Sequence, residues 1–90
     1  MRIDRFLKLS RLVKRRAAAA EMVDVGAVRL NGRTVRPAAG VKPGDAIEIA
    51  FPRRMLSVEV ITDDETALKR GAVSFRVTSD RPLTTDERPW

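Results

Sequence analysis

The apolar residues of this 90-residue chain change period at Gly26, from the spacing of helices to the alternation of strands. No other feature limits the fold as much, because it puts helices at the front and a sheet behind them. Over residues 2–10, Ile3, Phe6 and Leu7 recur at helical spacing, with Asp4, Arg5 and Lys8 on the opposite side. Ser10 and residues 11–13 read as a connection, with Leu12 and Val13 turned inward. A second helix is expected over residues 14–25. Four consecutive alanines at 17–20 favour it, and Gly26 stands where a left-handed cap ends a helix. Its inner stripe reads as Ala18, Met22 and Val25, with Ala19 and Val23 beside it, and Arg16, Glu21 and Asp24 on the outer arc.

Beyond Gly26, Val28 and Leu30 alternate up to Asn31-Gly32, a pair that marks a tight hairpin because both turn positions need positive φ. Residues 37–40 read as loop, and Val41-Lys42-Pro43-Gly44-Asp45 as a turn feeding a strand at 46–51. A further strand is expected at 55–61, with Leu56, Val58 and Val60 on one face, then a polar loop at 62–71. A last strand is expected at 72–77, on the alternation of Val73, Phe75 and Val77. Residues 79–90 read as a loose tail. The expectation is one α+β domain over residues 1–78, with two N-terminal helices packed on a small antiparallel sheet.

At 43% apolar residues, with three Phe, one Trp and no Tyr, the core must be largely aliphatic. The chain holds neither Cys nor His. Disulfides, thiolate metal sites, cysteine nucleophiles and the usual neutral-pH proton shuttle are thereby excluded, and no metal or cofactor is expected. The thiol-free composition fits a cytoplasmic protein. No apolar run is long enough to cross a bilayer, so no membrane partner is expected. The Arg-rich, amphipathic start raises a transit peptide, but its apolar pattern runs on into the second helix, and the segment is read as part of the fold.

Net charge is +6, unevenly placed: residues 1–54 carry +8 and residues 55–90 carry −2. Seven basic residues fall within the first sixteen: Arg2, Arg5, Lys8, Arg11, Lys14, Arg15 and Arg16. Two helices that pack through their apolar sides must push these cations onto the outer faces and the connecting turn. Such crowding is tolerable when phosphates neutralise it in a complex. Guanidinium groups fork onto phosphate oxygens and stack on exposed bases, so a set this rich in Arg favours RNA. Arg2 and Arg16 lie at the border of the apolar and polar arcs, where a side chain can be held in one direction. Arg5 and Lys8 read equally well as solubilising charges. Arg33, at the hairpin, is a further candidate contact or a plain turn residue.

The run RIDRFL, then KRRAAAAEMVDVGAVRLNG, then VKPGDAIEI resembles the S4-type RNA-binding domain. The matching positions are Arg2 and Asp4; Ala18 to Gly26; Val28, Leu30, Asn31 and Gly32; and Val41, Gly44, Asp45 and Ile47, within residues 2–50. One departure is that Lys14-Arg15 stands where many members cap the second helix with Ser or Thr. A cation there opposes the helix dipole, which suggests that those charges serve binding. The short form with SRLVKRR is most similar to the branch of the family that works in ribosome-associated quality control. That resemblance implies a monomer bound to free large ribosomal subunits, touching 23S rRNA and a stranded peptidyl-tRNA. It also implies support for an alanine-tailing factor that extends the stalled peptide. The longer heat-shock S4-type proteins, which recycle blocked subunits without tailing, are the neighbouring alternative. The contacts it implies are Arg2 and Arg16 first, then Arg11, Lys14 and Arg15.

Catalysis is not expected. S4-type domains occur fused to enzymes, but here no room is left for a catalytic domain, and Ser10, Ser57, Ser74 and Ser79 have no histidine to activate them. Asp63-Asp64-Glu65 could imitate a metal site but reads as a solvated turn. Duplex DNA is disfavoured, because no helix carries Asn, Gln or Arg spaced for major-groove edges.

Overall fold

A computed structural model describes residues 1–84 of the chain. Helix α1 spans Ile3–Leu9 and α2 spans Arg16–Asp24. Strands β1 (Val28–Leu30), β2 (Arg33–Thr34), β3 (Ala46–Phe51) and β4 (Arg54–Val60) follow, then a short helix α3 (Glu65–Lys69) and strand β5 (Phe75–Pro82). The strands form one five-stranded sheet in the order β2-β1-β3-β4-β5, every neighbouring pair antiparallel. The expected α+β architecture, helices leading and sheet following, is what the chain adopts.

Each helix of the leading pair ends on a left-handed residue. At α2 it is Gly26, with φ of 80°. Its amide bonds the Val23 carbonyl at 3.1 Å and the next amide, Ala27, bonds Met22 at 2.8 Å, the paired pattern of a Schellman cap. At α1 the residue is Arg11, with φ of 67°, a conformation that costs a side-chain-bearing residue about 1–2 kcal/mol. Arg11 bonds Lys8 at 3.1 Å, and Val13 reaches back to Leu7 at 3.0 Å.

The core joins Ile3, Phe6 and Leu7 of α1 to Ala19 and Val23 of α2. Beneath them lie Val28, Ile47, Ile49, Leu56, Val58 and Val60 of the sheet. The inner stripe of α2 is therefore Ala19 and Val23, four apart, and not the expected Ala18, Met22 and Val25. Ala18 is exposed, Met22 half-buried, and Val25 is 72% exposed.

Two turns far apart in sequence are bolted together. Asn31 and Gly32 both take positive φ, as the hairpin requires. The Asn31 side chain donates to Asp45 Oδ1 at 3.1 Å and accepts from the Ala46 amide at 2.9 Å. Buried Asp45 also accepts from the Lys42 amide at 2.9 Å. The start of the chain is threaded against the 37–41 segment. Ile3 donates to the Ala39 carbonyl at 2.7 Å, and Val41 to the Met1 carbonyl at 2.8 Å.

The back half departs from expectation in two places. The polar stretch 62–71 contains α3, whose first turn is capped by the Asp64 side chain accepting from the Ala67 amide at 2.9 Å. The last strand starts at Phe75 and pairs with β4 as far as Arg54↔Pro82, past the expected domain end at residue 78. Leu83 is buried and its amide bonds the Arg53 carbonyl at 2.8 Å, so residues 79–83 belong to the folded body. Val73, expected inside this strand, precedes it and is 73% exposed. Of the expected tail, residues 85–90 lie outside the described residues.

Candidate nucleic-acid interface

Asp4 lies in the first turn of α1, where a carboxylate is favoured by the helix dipole, and is 3% exposed. Its Oδ1 accepts from Arg2 Nε at 3.1 Å and from the Arg5 amide at 2.7 Å. Its Oδ2 accepts from Arg2 Nη2 at 3.1 Å and lies 3.5 Å from Arg16 Nε. One buried carboxylate thus grips two guanidinium groups, one ahead of α1 and one at the first residue of α2. Both arginine side chains remain about half exposed, at 50% and 44%. Each guanidinium has five donors. Some of these are used in the grip on Asp4, and the half-exposed side chains leave others available to a ligand. Two sets of N–H groups held this way suit phosphate oxygens or the planar edge of a base.

The other candidate cations divide by what holds them, and the division is visible in the ion pairs. Arg5 turns the other way and pairs with Glu65 of α3, which also meets Lys69 at 3.7 Å. Lys8, Arg11, Lys14 and Arg15 are exposed, and among the described residues none has an ion pair. Arg11, Lys14 and Arg15 ride the connector between the helices, which adjoins the Asp4 grip through Arg16. Arg15 occupies the N-cap of α2 with no side-chain cap, and no acidic residue follows in the first turn. The positive end of that helix is thus left to whatever anion approaches. Arg33 lies on β2, exposed, and no hydrogen bond or ion pair among the described residues ties it to the Asp4 group.

Two features went unread in the sequence. Asp4 entered on the polar side of the first helix and, with Arg2, as part of the S4 pattern, but not as the joint between two arginines, although a lone acid among seven cations is itself the signal of an anchor. Arg53 and Arg54, at the turn between β3 and β4, fell in the gap between two expected strands. The structure puts that turn beside Leu12 of the basic connector. The acidic run is parcelled out: Asp63 lies 3.9 Å from the N-terminal amine, Asp64 caps α3, and Glu65 pairs with Arg5. Among the described residues no three acidic side chains converge as metal ligands would. Nor is any helix there long and apolar enough to cross a membrane.

The leading helical pair, the hairpin and the Gly-Asp turn follow one another in the order of the S4-type pattern. Residues 1–47 match the family model of the S4 domain, and the chain belongs to that family. It is similar to the RQC P-site tRNA stabilizing factor of Bacillus subtilis, at 39% identity over 75 residues, covering 83% of this chain and 87% of that protein. The protein of the same description from Halalkalibacterium halodurans is 36% identical over 88 residues, spanning 97% of this chain and 100% of its own. Among solved structures, the trimeric structure of Vibrio cholerae Heat Shock Protein 15 superposes with a TM-score of 0.74 at 26% identity. It covers 88% of this chain and 82% of that one.

Proposed function

We propose that this chain is a non-catalytic RNA-binding factor that sits on free large ribosomal subunits carrying a stalled peptidyl-tRNA. It touches 23S rRNA and the tRNA through the α1–α2 face, and so supports an alanine-tailing factor in ribosome-associated quality control. It acts as a cytoplasmic monomer, without metal or cofactor. The observation that carries this reading is the pair of half-exposed guanidinium groups, Arg2 and Arg16, fixed on one buried carboxylate and flanked by Arg11, Lys14 and Arg15, which have no ion pair among the described residues. Support for the ribosomal target comes from relatives described as RQC P-site tRNA stabilizing factors, which match 83% and 97% of the chain.

Phosphate contacts position a protein on RNA, while fixed guanidinium forks add discrimination. Neutralising four to six phosphates gives a slope of about −3 to −5 for log affinity against log salt. Arg16→Ala is expected to cost the subunit interaction about 1–3 kcal/mol while leaving the fold intact. Sucrose-gradient sedimentation with large subunits bearing a trapped nascent chain tests it. Undiminished co-migration of the variant counts against the assignment, and a preference for DNA duplex over structured RNA removes it.

A further inference from the structure

We infer that a second RNA contact, outside the Asp4 grip, is built where the β3–β4 turn meets the α1–α2 connector: a seat for one unpaired nucleotide. This rests on the RNA-binding reading and adds to it a place and a chemical preference. Leu12, Phe51, Pro52, Arg53 and Arg54 line one shallow groove. Leu12 and Phe51 are half-buried against the core, so their outer surfaces form an apolar shelf with Pro52.

The cation over this shelf is tethered on two sides. The Arg54 guanidinium carbon lies 5.1 Å from the centroid of the Phe51 ring, and its Nε lies 3.4 Å from Asp80 Oδ1 on β5. With the ring on one side and a carboxylate within ion-pair reach, the guanidinium is tethered before any ligand arrives, which lowers the ordering cost of stacking on it. The turn itself is rigid. Phe51 and Arg54 are ladder partners, Arg54 also pairs with Pro82, and Leu83 bonds the Arg53 carbonyl. Arg53, at the tip, is exposed and has no ion pair among the described residues, so it is available to a phosphate.

A nucleotide is the occupant these features favour. A base is flat and can lie against Leu12, Pro52 and the Arg54 plane, while its phosphate meets Arg53 or the neighbouring Arg11. A base inside a duplex offers no free face, so the seat selects bulged or looped nucleotides over paired ones. An apolar peptide would leave the Arg53 charge unanswered.

The test compares two RNA hairpins identical except for one bulged 4-thiouridine, each titrated with the full chain. The bulged RNA is expected to bind about fivefold to tenfold more tightly, the scale of one base stack. Photocrosslinks should map to Leu12 or residues 51–54. Phe51→Leu keeps every charge and most of the apolar volume. It should lower that preference to about twofold or less while leaving affinity for the paired hairpin unchanged. Arg53→Gln with Arg54→Gln should abolish the preference as well, with helical and strand content intact by circular dichroism. Equal binding of the two hairpins, or a preference untouched by both variants, overturns the seat while the Asp4 face stands. Binding of neither hairpin overturns the RNA-binding reading and the seat with it.

Discussion

The front and back halves of the molecule treat charge in opposite ways. In the helical front, a single buried acid serves two arginines, and the connector cations Arg11, Lys14 and Arg15 are left without ion pairs among the described residues. In the back half the acids among the described residues are engaged. Glu59 accepts from Arg76 at 2.6 Å, Asp80 holds Arg54, Asp64 caps α3, and Glu65 meets Arg5 and Lys69. A basic face persists on a small domain when its acids are bound elsewhere and cannot fold back onto the cations. The acids described after residue 54 are thus occupied with partners in the sheet, in α3 and at the chain start, away from the connector cations.

The largest effect expected is on stability, away from the basic face. Asn31→Ala removes both side-chain bonds of the hairpin bolt, places Ala at a φ of 51°, and strips a partner from buried Asp45. Together these cost about 2–3 kcal/mol, which lowers the melting temperature of a domain this size by roughly 10–20 °C. RNA affinity measured well below the transition should be unchanged. A large loss of affinity in the folded variant would mean that the hairpin is part of the interface.

Next comes Asp4→Asn, which separates charge from position. It raises the net charge by one, so a face that acts only by bulk electrostatics should bind RNA more tightly. If the grip positions Arg2 and Arg16, affinity should instead fall about fivefold, and stability by about 1–2 kcal/mol as charge-assisted bonds weaken. Fluorescence anisotropy at two salt concentrations checks both. Tighter binding at both would leave the front half a diffuse cation cluster.

What the sequence revealed follows the reach of each constraint. Gly26 and Asn31-Gly32 were legible because a left-handed backbone position is a local demand that few residues meet. The α+β order and the S4 pattern followed from the period switch and those turns. The inner stripe of α2 was placed one residue off, with Ala19 and Val23 only beside it, because residues 17–20 are all alanine. Every face of that turn is equally apolar, and only the position of α1 and the sheet selects Ala19 and Val23. Strand β5 was misplaced for a different reason. It is an edge strand with exposed side chains along most of its length, held by backbone pairing to β4, so alternation carries no information there. Helix α3 is five residues long, too short for periodicity, and only its Asp64 cap announced it. In the site, Arg2 and Arg16 were legible at the arc borders, while the acid that joins them became apparent only when the helices packed.

A smaller effect is expected at the connector, where function and stability pull apart. Arg11 holds a left-handed conformation that suits glycine. Arg11→Gly should raise stability by about 0.5–1 kcal/mol in chemical denaturation, partly offset by the freedom Gly gains in the unfolded chain. The same variant should weaken RNA binding about twofold to threefold and make the salt slope shallower by about one phosphate. Stabilisation without any loss of affinity would remove Arg11 from the face.

The smallest effect tests the seam between the halves. Among the described residues, Arg5 is the one Lys or Arg side chain of the leading segment drawn to the back half, paired with Glu65 where both side chains are partly exposed. Exposed pairs contribute little, so Glu65→Gln should change stability by no more than about 0.5 kcal/mol. Freed from Glu65, Arg5 can swing toward the RNA face, and affinity at low salt should rise by up to about twofold, a gain that screening removes at high salt. A fall in affinity would show that Glu65 holds Arg5 for RNA as Asp4 holds Arg2 and Arg16, and would extend the anchored class from two arginines to three.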